Sequence, residues 1–400
     1  MAVSLSYYPD NRYDKQKIYD ELQATYAIEG LDPNYFEYLD TKTFVGFEKA
    51  EFEELQAIVR SVNGIFRKAY SWYWDDLARN LPEFSRIHEY FRKEFPYDEY
   101  FIARYDVLID VHGEYKFLET NANTPGLITE SNRPSAMFLP EGWDNQAGGL
   151  IEYVRDFWKG KMETLSGGDL AKIKLGILLP HSYENEDYLV GRDYYDILSS
   201  VIPEENLVIG DIYETNVVDG SVTLKGQRID AILSYFPFEF FLTDIDFTLP
   251  FLEAVADGNC LLVNPLESMA FQDKLMFAVI WENLEKYSAE EQAAIHRHIP
   301  FTTREFQEST EYLAKWRFGR YGREIYWDRF YTNLDHVDKF IFQKKVEPRK
   351  ENEQGDFLVL GAFSDLRESI SFIARKQEHR TTDDTYNLTT LAYARGNINV

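Results

Sequence analysis

One cysteine in 400 residues, Cys260, has no partner for an intramolecular disulfide and cannot form a thiolate zinc cluster. In Gly-Asn-Cys-Leu-Leu-Val it reads as a buried strand residue, not a nucleophile. No apolar run approaches the length of a membrane span, and the first residues do not read as a signal peptide, so a soluble, cytoplasmic protein is expected. Basic residues are scarce. Lys and Arg number 42 against 68 Asp and Glu, giving a net charge of −26. Such a field repels nucleic acid and anionic membrane surfaces and favours a cationic partner such as an amine. Several catalytic signatures are also missing. No Gly-x-Gly-x-x-Gly follows the first strand of the βαβ region, and there is no Walker loop, no His-Glu-x-x-His and no Gly-x-Ser-x-Gly elbow.

Aromatic residues are plentiful. The 28 Tyr and 29 Phe suit a globular interior with clefts lined by rings, and the length predicts two or three packed lobes. Residues 1–100 read as helical, with apolar residues at three- and four-residue spacing over Lys15–Ala27, Lys49–Trp74 and Phe84–Phe95. Another helix, over roughly 145–165, ends at the loop signal Ser166-Gly167-Gly168. From 172 the pattern changes. Strands over Ile173–Leu179, Leu207–Ile212, Ile229–Tyr235 and Cys260–Asn264, a helix over Asp187–Val201 and a hairpin turning at Asp219-Gly220 predict a small parallel sheet with covering helices. A helical segment then runs to Glu285, followed by strands at Tyr312–Lys315, Lys339–Lys344, Asp356–Phe363 and Phe372–Arg375. The expected class is α/β (α+β), divided at 1–165, 166–268 and 269–400.

The sharpest local signal is Ile102–Thr124, two alternating strands around His112-Gly113. A two-residue hairpin there sets Asp106 opposite Glu119 and Arg104 opposite Asn121, all on one face. The other face would carry Tyr105, Val107 and Ile109 against Leu118 and Thr120. Opposed carboxylates are unfavourable in a sheet. With an amide oxygen two residues on, they suit a hard divalent cation. Polar alternation also suits a sheet with one wet face. The continuation Asn121-Ala122-Asn123-Thr124-Pro125-Gly126 favours the cation, because it ends the strand sharply and opens a loop where a ligand can sit.

The charge reverses at 312–325, where Lys315, Arg317, Arg320 and Arg323 fall within nine residues around Gly319 and Gly322. A strand ending in lysine and then a basic glycine loop suits a phosphate cover; a solvated basic turn is the alternative. Phe340–Lys344, with Gln343 and Lys344 leading into a polar connector, suits an adenine slot as well as an ordinary edge strand. Phe372–Arg380 adds a second cationic cluster that includes Arg375.

In this order the pieces resemble the carboxylate–amine ligase domain of glutathionylspermidine synthase and its relatives, a variant of the ATP-grasp fold. The family's Arg-Phe-Asp and Leu-Glu-x-Asn-Ala-Asp-Thr-Pro are matched by Arg104-Tyr105-Asp106 and Leu118-Glu119-Thr120-Asn121-Ala122-Asn123-Thr124-Pro125. Its Tyr-Pro-Trp-Glu is matched loosely by Tyr235-Phe236-Pro237-Phe238-Glu239, and its Asn-Lys helix by Asp273-Lys274 through Ile280-Trp281-Glu282. Its Lys-Pro-x-x-Gly-Arg-x-Gly becomes Lys315 through Gly322, and its Tyr-x-Gln strand corresponds to Phe342-Gln343. The resemblance implies a composite ATP-grasp-like core built from 1–165 and 269–400, the latter carrying an antiparallel nucleotide-binding lobe, with a small pre-ATP-grasp lobe over 166–268. It also implies site roles. Asp106, Glu119 and Asn121 would hold magnesium, and Arg104 would meet the transferring phosphoryl group. Lys274, Lys315 and the Gly319-Arg320-Tyr321-Gly322 loop would touch ATP phosphates. Gln343 and Lys344 would line the nucleotide slot, Arg375 would engage substrate or intermediate, and Glu239 would meet the amine.

The departures cluster on the substrate side. Asn123 replaces the family's Asp, Gly126-Leu127 replaces Thr-Ser and Trp316 replaces Pro, and the amidase half of the family's bifunctional members is not expected here. The implied chemistry is ATP-dependent, magnesium-assisted amide ligation through an acyl phosphate. It would join a small-molecule or peptide carboxylate to an amine, with a polyamine as one candidate. A non-catalytic ATP-binding protein and a magnesium-dependent small-molecule kinase remain as alternatives.

Overall fold

The helix Lys49–Asn80 buries Leu55, Val59, Val62, Phe66, Ala69 and Tyr73, a stripe at alternating four- and three-residue steps, with Tyr70 beside it. This stripe lies under a five-stranded antiparallel sheet of order Asn387–Thr390, Ser369–Gln377, Phe357–Ser364, Ala103–Ile109, Tyr115–Asn121. Phe66 meets Tyr105 edge-on at 5.5 Å, a geometry worth about 1 kcal/mol beyond its buried area. The Tyr105 hydroxyl donates to Asn63 Oδ1 (3.0 Å), and Asn63 Nδ2 donates to Ser364 Oγ (2.9 Å). The helix therefore occupies one face of the sheet and leaves the other for Arg104 and Asp106. The computed structural model describes residues 3–8, 14–26, 35–80, 87–180, 186–242, 244–320, 325–326, 337–353, 355–377 and 387–395.

The predicted parallel sheet is present, in the order Leu261–Val263, Ala231–Ser234, Leu175–Leu179, Leu207–Asp211. Its strands are short apolar runs, as expected for strands covered on both faces. The hairpin beside it turns at Asp219-Gly220, both at positive φ. A second antiparallel sheet, Thr302–Thr303, Phe340–Lys344, Tyr312–Trp316, Ile325–Tyr326, carries the predicted nucleotide-side strands. The mixed α/β class with a small parallel lobe and an antiparallel lobe is borne out.

Two expectations for the first hundred residues fail. Ser4–Tyr7 and Thr43–Phe47 are strands, and the second pairs in parallel with Ala392–Arg395. Thr43–Phe47 is buried throughout, and Gly46 lets Trp143 lie against its backbone. A partner some 350 residues away leaves no local periodicity to read. At Phe84–Phe95 the described part is a 3-10 turn, His88–Tyr90, with 84–86 outside the described residues. Arg92 N–H donates to Glu267 Oε1 (2.7 Å) rather than to a helical carbonyl. The helical spacing of Phe91 and Phe95 reflects packing on Trp74, Tyr70 and Phe271. Among the described residues, no helix is long and apolar enough to cross a membrane.

Candidate active site

The hairpin places Asp106 opposite Glu119 and Arg104 opposite Asn121, as predicted, but by another route. The turn has three residues, Val111, His112 and Gly113, closed by Asp110 N–H on Glu114 O (2.9 Å), with Gly113 at φ 79. One residue is then inserted between Phe117 and Glu119, a β-bulge that restores the register at the carboxylates. Phe117, not Leu118, therefore stands opposite Val107 and packs on Tyr105. Leu118 joins Leu108 instead.

Asp106 is held between two guanidiniums. Arg104 donates through Nε to its Oδ1 (2.9 Å) and through Nη1 to Gly126 O (3.0 Å), and Arg375 donates to Asp106 Oδ2. Burial pushes the Asp106 carboxyl up, but Arg104 and Arg375 outweigh it and hold the group well below the usual carboxylate range. Gly361, opposite Asp106 on the next strand, makes this possible. A Cβ there would lie 2.9 Å from Arg104 Cδ. Glu119 faces Lys274 Nζ at 3.2 Å, and the buried Asn121 amide nitrogen has no hydrogen-bond partner. Two opposed carboxylates fit a hard cation shared with substrate phosphates, as magnesium is usually held. No group of three His, Cys, Asp or Glu stands together among the described residues.

Cations from the last third of the chain face this hairpin. Lys315 Nζ donates to Gln343 Oε1 (2.7 Å) and Leu118 O (3.3 Å). Burial, with Lys274 nearby, pushes its ammonium down to about 8 despite Glu119 and Asp106. Lys274 Nζ also donates to Gly319 O (2.6 Å). Arg320 reaches the opposite wall, with Nε on Glu239 Oε1 (2.7 Å) and Nη1 on Thr124 Oγ1 (2.7 Å). Glu239 Oε2 is buried without a hydrogen-bond partner. The four-cation phosphate cover is not what forms. Arg317 turns inward onto Asp273, and Arg323 lies outside the described residues.

A family model for the glutathionylspermidine synthase pre-ATP-grasp region matches residues 8–390. The chain belongs to that family. Among solved structures, a glutathione synthetase-like effector from Globodera pallida in its apo form shares 12% identity, with a TM-score of 0.59, over 97% of this chain and 100% of that one. At that identity the likeness is one of fold, and it agrees with the ATP-grasp-like architecture. A protein provisionally assigned as a gamma-glutamylcysteine synthetase from Methylobacillus flagellatus KT is more distant, at 12% identity and TM-score 0.44 over 84% and 87% of the two chains. No curated protein sequence matches.

For this member of the glutathionylspermidine synthase family, Arg104, Asp106, Glu119, Asn121, Lys274, Lys315, Gly319, Gln343 and Arg375 converge. Arg320 and Glu239 form an adjoining wall. Gly322 lies outside the described residues. Lys344 is exposed at its strand end, on the alternate face from buried Gln343. Asn123 is buried and donates to Ser268 Oγ, with its Oδ1 unpartnered. Sequence reasoning missed three supports. Gly361 makes room for Arg104, Gln272 Oε1 accepts from Ala122 N–H (2.8 Å), and Asn264 Nδ2 donates to Ala122 O (2.8 Å). Gly361 interrupts an apolar strand, a signal of close approach that was there to read.

Proposed function

We propose that this protein is an ATP-dependent carboxylate–amine ligase working through an acyl phosphate. The observation that carries the reading is the meeting of opposed carboxylates, Asp106 and Glu119, with Arg104 and Arg375 on one side and Lys274 and Lys315 on the other. Asp106, Glu119 and Asn121 would hold magnesium, which when bound neutralises phosphate charge. Lys274 and Lys315 bind the nucleotide's phosphates, and Gln343 orients the Lys315 ammonium. Arg104 and Arg375 stabilise negative charge on the transferring phosphoryl group, so the protein contributes mainly position and electrostatics. A substrate carboxylate attacks the γ-phosphorus, ADP leaves, and an amine displaces phosphate from the acyl phosphate to give the amide. Glu239, through its unpartnered Oε2, receives the amine; a cationic amine such as a polyamine suits the acidic chain. Residues 166–268 act as the flanking lobe that carries Glu239.

Protein, ATP and magnesium mixed with pooled carboxylates and amines, followed by mass spectrometry, should yield ADP and a new amide only when both substrate classes are present. ATP binding without ADP under every condition sinks the enzyme reading, and ADP with a stable phosphorylated product replaces it with a kinase. Asp106→Ala and Glu119→Ala should each abolish turnover; an unchanged rate in either refutes the metal assignment.

A further inference from the structure

Behind the phosphate-facing cations lies a second charged group that touches neither Asp106 nor Glu119. Asp273 sits in the turn between the helices Met269–Gln272 and Leu275–Glu282, immediately before Lys274, and is fully buried. Arg317, at the end of the strand Tyr312–Trp316, is also buried and pairs with it, Nε lying 3.0 and 3.1 Å from the two carboxylate oxygens and Nη2 adding a further bond. Tyr73, from the long helix Lys49–Asn80, donates its hydroxyl to Asp273 Oδ2 (2.8 Å). Leu275 N–H donates to Oδ1 (2.9 Å), so the same carboxylate starts the helix that follows Lys274.

A buried ion pair is a poor device for stability alone, because desolvation offsets most of the attraction, and apolar residues of the same volume often do as well. What it supplies is direction. The guanidinium and carboxylate lock edge to edge, and the backbone around them is tied in the same sense: Lys274 N–H donates to Arg317 O (3.1 Å) and Arg317 N–H to Lys339 O (3.0 Å). Lys274 Nζ then reaches Gly319 O (2.6 Å), two residues beyond Arg317. The ion pair is the joint between the lysine and the basic loop.

We infer that Asp273, Arg317 and Tyr73 form a positioning latch that sets the Lys274 ammonium and the Gly319-Arg320 loop on the nucleotide phosphates. The inference rests on the ATP-dependent reading above. Arg317 thus acts through Lys274 and the loop, not by touching phosphate.

The test is a double-mutant cycle on Mg-ATP binding by calorimetry, with thermal melts to establish folding. The paired variant Asp273→Asn/Arg317→Gln removes both charges, so no lone charge stays buried, and is expected to weaken Mg-ATP about tenfold. In a Lys274→Met background the same pair should cost less than about twofold, because both the ammonium it positions and that ammonium's tie to the loop at Gly319 O are gone. Equal losses in the two backgrounds overturn the latch and leave the ligase reading standing. Failure of the unmodified protein to bind Mg-ATP overturns both. If the paired variant does not fold, Tyr73→Phe replaces it. A loss of about threefold that vanishes in the Lys274→Met background supports the latch, and an unchanged affinity overturns it.

Discussion

On the proposed ATP-dependent reading, Lys315 ties nucleotide binding to pH. Burial is the main force lowering its ammonium to about 8 from an ordinary value of 10.5; Lys274 adds to the shift, and Glu119 and Asp106 oppose it. Below about 8 the group carries the charge a polyphosphate needs, and above it the charge is lost. Mg-ATP affinity should therefore fall as pH rises through 8. The effect on folding has the opposite sign. Between about 8 and 10.5 the unfolded chain holds a proton that the folded chain has released, so this lysine's contribution to stability rises with pH across that window. Calorimetric titration with Mg-ATP on both sides of pH 8 checks this. The decline should be absent from Lys315→Met, whose binding is weaker throughout, and a flat profile in the unmodified protein removes Lys315 from the phosphate site. Cys260 is the contrasting case. It is buried, its thiol is pushed up to about 12, and it stays neutral, as its strand-like sequence context indicated.

At the scale of the element, the hairpin separates what the sequence could show from what it could not. Alternation placed Arg104, Asp106, Glu119 and Asn121 on one face because period two is intrinsic to a strand. The turn and the bulge are one-residue irregularities that cancel, so the pairing at the carboxylates was legible while the path to it was not. Leu118 was put on the wrong face for that reason. The basic run at 315–323 was legible as charge but not as direction. Whether Arg317 meets phosphate or Asp273 depends on an element some 44 residues earlier in the chain. The strand Thr43–Phe47 was illegible for the same kind of reason, since its parallel partner is at the far end of the chain. The bulge carries its own prediction. If it, not the turn, pins the register, strain in the turn should leave the site intact. Gly113 at φ 79 has nothing within 4 Å of a built Cβ, so Gly113→Ala meets only backbone strain, a loss of about 1 kcal/mol. Chemical denaturation should show that loss with Mg-ATP affinity unchanged. Weakened binding would assign the register to the turn.

Over the whole molecule, the site lies where distant stretches of chain meet: the hairpin from the first third, Glu239 beside the parallel sheet, and Lys274, Lys315 and Arg375 from the remainder. A net charge of −26 surrounds this small basic centre. The two fields act over different distances. Exposed charges are screened beyond about 10 Å at 0.1 M salt, whereas Lys315, Lys274 and Arg104 are buried and meet a ligand at contact. On the proposed ligase reading, the outer field would draw in a cationic amine and repel a nucleotide until it reaches the basic centre. In the proposed reaction, the two substrates should therefore respond oppositely to salt. Raising ionic strength should raise KM for a cationic amine, because its attraction to the surface is screened, and should leave KM for Mg-ATP level or lower it, because long-range repulsion is screened while contact pairs persist. Initial rates over a salt series, with one substrate varied at saturation of the other, separate these slopes. A KM for the amine indifferent to salt would mean that the acidic surface does not recruit it, leaving Glu239 alone as the recognition element.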